Sequence, residues 1–170
     1  MNLVLVGFMG TGKTVVGQKV AATLRVPFVD IDQEIERKYQ RTIAEIFKAG
    51  GEAAFRKIEM SAIAEVALID HAVIATGGGA LLNSENARVL SKNGLLVCLR
   101  ATVDTLVQRL GKDSSRPLLA GEPLKQKLEN LLKERESVYA ACPIQIPTDN
   151  QSVEQTAGNV LRQIEGRFPS

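Results

Sequence analysis

The chain is short of cysteine and histidine, nearly balanced in charge and free of long apolar runs, and each shortage closes off a class of function. Two cysteines in 170 residues do not make a disulfide framework. Cys98 sits in the apolar run Leu95-Leu96-Val97-Cys98-Leu99 and reads as a buried reduced thiol, while Cys142 precedes Pro143 with no partner suggested by sequence. The single histidine, His71, falls in the turn Ile69-Asp70-His71 and reads as surface. With 21 Lys and Arg against 19 Asp and Glu, the net charge is only +2, which gives no case for nucleic acid or an anionic membrane as partner. No stretch approaches the ~20 apolar residues of a membrane span. The apolar run at the start has no positive charge before it and is too short for a signal peptide. No repeat, low-complexity tract or linker interrupts the chain. What remains is the composition of an ordinary globular protein, 45% hydrophobic and 24% charged. Residues 1–170 read as one domain, expected in the cytoplasm and, lacking an obvious apolar stripe, as a monomer.

Against this plain background one segment stands out. Gly7 to Thr14 reads G-F-M-G-T-G-K-T, directly after the apolar run Leu3-Val4-Leu5-Val6 and before a helical pattern. This is the G-x-x-x-x-G-K-[ST] phosphate loop in the context that gives it meaning, a buried strand feeding a loop that opens a helix. Gly7, Gly10 and Gly12 let backbone N–H groups approach phosphate oxygens closely, and the helix beginning near Lys13 aims its positive end at the same place. The binding segment is therefore Gly10, Thr11, Gly12, Lys13, Thr14 and Val15. Lys13 can then reach the β- and γ-phosphates of a nucleoside triphosphate, and the Thr14 hydroxyl can ligate Mg²⁺.

Short apolar runs alternate with helical patterns along the rest of the chain. Strands are expected at Asn2–Val6, Pro27–Asp30, Ala72–Ala75, Gly94–Leu99 and Pro143–Ile146. None alternates polar with apolar, as parallel strands covered on both faces do not. The pattern implies an α/β three-layer fold with a parallel sheet. Thr42-Ile43-Ala44-Glu45 and Ser152-Val153-Glu154-Gln155 fit capping boxes, and Ser84 and Thr102 are expected N-caps. Between the second and third strands lie three helical patterns, about residues 32–69, instead of one crossover. A Gly-, Pro- and Ser-rich stretch, about 111–123, is too irregular for an element. The first reads as a substrate clamp and the second as a lid.

Ligands of open α/β sheets bind at the carboxyl ends of the strands. That rule gathers Asp30 and Asp32, at the end of strand two, and Gly77-Gly78-Gly79, at the end of strand three, beside the phosphate loop. In an extended segment the two aspartates share a face, one to support Mg²⁺ and the other to accept a proton from a substrate hydroxyl. Asp32 can equally cap the helix that follows it. The triple glycine offers an anion nest. Arg56 lies in the inserted helical block, where it could also be a solvated helix charge. Arg116 lies in the lid and Arg135 late in the helix after it, and arginine grips carboxylate or phosphate bidentately. Arg109, near a helix end, could stack on adenine.

Taken together these residues resemble the shikimate kinase family. The similar elements are Gly7–Thr14, the D-x-D of Asp30 and Asp32, E-x-x-F-R-x-x-E from Glu52 to Glu59, A-T-G-G-G at Ala75–Gly79, R-P-L-L at Arg116–Leu119 and R-x-x-x-Y at Arg135–Tyr139. The resemblance implies a nucleoside-monophosphate-kinase-like P-loop fold with a five-stranded parallel sheet, and transfer of the ATP γ-phosphate to the 3-hydroxyl of shikimate. By position it implies that Asp32 binds that hydroxyl as its base and Asp30 supports Mg²⁺. Arg56, Arg135, Gly78 and Gly79 hold the substrate, Phe47 and Phe55 wall its pocket, Arg116 closes over the phosphates and Arg109 stacks on adenine. Val15 departs from the family, which often has a hydroxyl residue there. A gluconate kinase is the nearest alternative, and a non-catalytic nucleotide-dependent binding module is the alternative of another class.

Overall fold

The computed structural model describes residues 1–111 and 123–168. β1 (Asn2–Gly7) is buried along its whole length because it is apolar on both faces. Leu3 and Leu5 point into one core cluster, and Val4 and Val6 into the other. A strand with no polar face must be covered on both sides, and β1 accordingly occupies the middle of the sheet. Each fully buried aliphatic side chain contributes about 1.5–3 kcal/mol of transfer free energy.

The sheet has five parallel strands in the order β2-β3-β1-β4-β5. β2 is Phe28–Asp30, β3 Val73–Ala75, β4 Gly94–Arg100 and β5 Ile144–Pro147. Leu5 pairs with Ala75 on one side and Val97 on the other. That register brings the ends of β1, β2 and β3 to one edge. α1 (Lys13–Leu24) and α7 (Val153–Ile164) cover one face through Val16, Val20, Val160 and Ile164. The other face is covered by α2 (Ile31–Tyr39), α3 (Ile43–Val66), α4 (Ser84–Lys92), α5 (Val103–Leu110) and α6 (Leu124–Ala140), with Ile35, Ile63, Leu90, Leu106 and Leu128 in the core. All five expected strands form, and the three-layer α/β architecture is the one expected.

Local signals explain the helix boundaries. Both capping boxes form, at Thr42 with Glu45 and at Ser152 with Gln155, and Thr102 caps α5. Ser84 does not cap α4. Asn83 does, accepting from Glu85 N, because the chain is still extended at Asn83 and already helical at Ser84. The expected pair of helices at 42–69 forms one element broken at Gly51, whose φ of 71° and ψ of −177° no helix contains. A short 3₁₀ turn, Ala80–Leu82, follows the triple glycine and was not expected from sequence. Arg116 and almost all of the expected lid, within 112–122, lie outside the described residues.

Candidate active site

At the carboxyl end of β1 the chain turns through the glycine-rich loop and enters α1 at Lys13. Lys13 is nearly buried, and its ammonium donates to the carbonyls of Gly7 and Phe8, both at 2.9 Å. Thr11 braces the loop from within. Its hydroxyl donates inward to the Phe8 carbonyl at 2.8 Å and its side chain is 1% exposed, so it closes the loop and offers a ligand no side chain.

Asp30 and Asp32 also differ from the sequence reading. β2 ends at Asp30, and Asp32 already lies in the first turn of α2, so they do not share a face by strand alternation. The cap is Asp30: its Oδ1 accepts from Asp32 N at 3.0 Å and Gln33 N at 3.3 Å. Its other oxygen accepts from the Thr14 hydroxyl at 2.7 Å. A hydroxyl and a carboxylate in contact beside a phosphate loop are hard oxygen donors of the kind Mg²⁺ takes from proteins, leaving its other positions to phosphate and water.

Two adjoining cavities open here. The smaller, about 260 Å³, is walled by Gly10, Gly12, Lys13, Thr14, Val15 and Arg109. Arg109 spans its rim, donating to the Gly10 carbonyl at 3.1 Å and to the Thr148 carbonyl at 2.7 Å. Asp149 beside it braces the Thr102 cap of α5; burial opposes its charge, but hydrogen bonds from Thr105 and Thr102 outweigh this and lower its pKa. The larger cavity, about 430 Å³, is lined by Phe47, Phe55, Arg56, Arg135, Gly78 and Gly79. Phe47 and Phe55 pack ring to ring at 4.7 Å. Met9, Thr14, Asp30, Asp32 and Gly78 border both cavities, so Asp32 stands where contents of the two would meet.

The two arginines enter the larger cavity from different elements. Arg56, from α3, is no solvated helix charge. Its side chain is 23% exposed and is gripped by Glu59 at 2.7 Å and Glu52 at 3.0 Å. Arg135, from α6, is 3% exposed. It donates one long bond, 3.3 Å, to the Gly78 carbonyl and lies 5.4 Å from the centre of the Phe8 ring. Its Nε is buried with no hydrogen-bond partner among the described residues. Tyr139, one turn along α6, donates its hydroxyl to the same carbonyl, and burial pushes its phenol up to about 12, so it remains a donor.

Glu59 is the residue that sequence reasoning left without a role. It is 1% exposed, and burial pushes its carboxyl above the ordinary 4.5 despite the opposing pull of Arg56 and Arg135. The signal was available: Phe55, Ala62, Ile63 and Val66 form the buried stripe of α3, and Glu59 is a charge on that stripe. The triple glycine also has its reason here. A Cβ on Gly77 would come within 2.7 Å of Glu59 Oε1, and one on Gly79 within 2.8 Å of the Arg56 guanidinium carbon. The glycines let the ion pair lie flat against the end of β3.

The comparisons with known proteins agree with this geometry. The family model described as shikimate kinase matches residues 9–165. A shikimate kinase of Caldanaerobacter subterraneus is 41% identical over 98% of this chain and 99% of its own length. One from Novosphingobium aromaticivorans is 43% identical, over 96% of this chain and 86% of its own. Among solved structures, the shikimate kinase from Acinetobacter baumannii in complex with shikimate superposes with a TM-score of 0.94 at 38% identity, covering 99% of this chain and 95% of that one. A gluconokinase from Sinorhizobium meliloti, at 17% identity and a TM-score of 0.62 over 98% of this chain and 93% of that one, shares the fold alone. The chain belongs to the shikimate kinase family.

Proposed function

We propose that this chain transfers the γ-phosphoryl group of ATP to the 3-hydroxyl of shikimate. The observation that supports it best is the common wall of the two cavities. A phosphate loop faces one of them, two arginines face the other, and Asp32 borders both. In this reading Asp32 accepts the hydroxyl proton as the oxygen bonds to the γ-phosphorus, and ADP departs on the other side. Arg56 and Arg135 grip the substrate carboxylate, the Gly78–Gly79 backbone meets its hydroxyls, and Phe47 and Phe55 cover its apolar ring face. The amides of the Gly10–Gly12 turn and Lys13 hold the phosphates, with Val15 and Arg109 lining the rest of the nucleotide site. Arg109 is proposed to face adenine. Bound Mg²⁺, held by Thr14 and Asp30, would neutralise charge on the β- and γ-phosphates. Positioning and neutralisation supply most of the rate in phosphoryl transfer. Arg116 is assigned to the transferring phosphoryl on sequence grounds alone.

No helix among the described residues is long and apolar enough to cross a membrane. We assign the protein to the cytoplasm and to a monomer on its composition. ADP release measured with shikimate, gluconate and AMP offered side by side tests the activity. Shikimate should support turnover and the others should not. Turnover of gluconate or AMP without shikimate would overturn the assignment.

A further inference from the structure

Arg56 and Arg135 face one cavity but are held very differently. Arg56 has two carboxylates fixing three of its nitrogens. For Arg135 the described residues supply one hydrogen bond, at 3.3 Å, and leave Nε with none. A planar fork reads a carboxylate only if its orientation is set beforehand, since two parallel bonds must form at once. Hydrogen bonding and the more distant charge of Glu59 hold Arg135 loosely, which leaves its orientation to what packs against it.

What lies against it is a residue of the phosphate loop. The Phe8 ring is 2% exposed, and the Arg135 guanidinium carbon sits 5.4 Å from its centroid. An arginine over an aromatic face is attracted to the negative ring quadrupole, most strongly where both are out of water. Here both are. The ring is confined by packing in the core cluster, and its backbone is fixed through its peptide carbonyl. That carbonyl receives Lys13 Nζ at 2.9 Å, the Thr11 hydroxyl at 2.8 Å and, more weakly, Thr11 N at 3.4 Å. The Gly78 carbonyl, which accepts from Arg135, is itself held by the Tyr139 hydroxyl. We propose that Phe8 is a positioning residue for the substrate: its ring is the platform that orients Arg135, although the residue belongs to the nucleotide-binding loop.

The inference rests on the reading of Arg135 as a carboxylate-binding residue, and the test separates the two. The chain has no tryptophan, so binding is read by calorimetry, with shikimate and ADP as the probes. Phe8→Leu keeps an apolar group of similar bulk and removes the ring; Phe8→Met is the second variant should the first lower the melting temperature. The expected result is shikimate binding weakened about 5- to 30-fold, the range a desolvated cation–π contact of roughly 1–2 kcal/mol supports. ADP binding should stay within about twofold, because the loop backbone is unchanged. In an Arg135→Ala background the Phe8 substitution should add almost nothing, since the two act as one unit. A folded Phe8 variant that binds shikimate like wild type overturns the platform alone. So does an equal loss in the Arg135→Ala background, which would mean that Phe8 acts through the loop and not through Arg135. An Arg135→Ala protein that binds shikimate normally overturns the carboxylate reading, and the platform with it.

Discussion

Lys13, on the phosphate side, is held by two neutral carbonyls, whereas Arg56, on the substrate side, is held by two carboxylates. The difference follows from what each must meet. A triphosphate brings several charges, enough to draw an ammonium from neutral acceptors as it binds, and lysine is a mobile point charge. A small polyol acid brings a single carboxylate and few apolar atoms. Its site gains by having the cation oriented in advance, so that little ordering cost is left for binding. On the proposed function, the acid side is the more firmly preoriented of the two.

The comparison is broken most severely at the wall the two sides share. Asp32→Asn should leave folding and ATP binding intact and lower kcat by about 10²–10⁴-fold, the usual cost of a positioned base. Stopped-flow or coupled ADP release at saturating shikimate reads it, and a kcat within a few fold of wild type would remove Asp32 as the base. Next comes the preoriented side. Arg135→Lys keeps the charge and loses the fork, and truncating one partner of a buried charged pair costs about 2–5 kcal/mol. The loss should fall on the shikimate KM with the ATP KM little changed. An amide analogue of the substrate carboxylate should abolish the difference from wild type.

A pH profile sharpens the same contrast. Burial holds the Glu59 carboxyl above its ordinary 4.5, and protonating it would release Arg56 from its partner. The shikimate KM should therefore rise as pH falls through that raised value, while the ATP KM stays flat. In Glu59→Gln this limb should disappear. The sign for stability is the reverse. A carboxyl whose folded pKa is raised favours the fold below its unfolded pKa and loses that contribution as pH rises through the folded one. Loss of grip on the acid side should thus occur without unfolding driven by Glu59, which thermal melts across the same range would check. The smallest effect is expected at Val15, 48% exposed on the nucleotide cavity. Val15→Thr would restore a hydroxyl worth about 0.5–1.5 kcal/mol if it meets a phosphate. The ATP KM should fall a few fold, and an unchanged KM would place the hydroxyl out of reach.

The sequence made the scaffold legible because burial leaves a direct trace. β1 is apolar from Leu3 to Val6 and must be central, and the capping boxes at Thr42 and Ser152 lie in the residue types themselves. What it could not convey were roles decided by a shift of one or two residues in the start of a helix. Asp30 caps α2 where Asp32 had been a candidate, and Asn83 caps α4 where Ser84 had. Nor could spacing show which way Thr11 turns, or that Phe8 lies under an arginine 127 positions further along, since both depend on how loops pack. Glu59 was written in a motif, but its meaning needed the burial of its helix face.

The Arg109 clasp carries a consequence of another kind. The rim of the nucleotide cavity is tied at Gly10 and at Thr148, and the platform at Phe8 waits for Arg135. A chain emerging from the ribosome makes its phosphate loop well before Arg135 and Thr148, which follow far along the sequence. β4 also pairs with β5 only once Ile144–Pro147 is made. A nascent or truncated chain therefore holds the loop without the clasp or the arginine. Half-made copies of this protein should neither hold nucleotide firmly nor squander it, and competence arrives late in synthesis, in one step with the closing of the sheet.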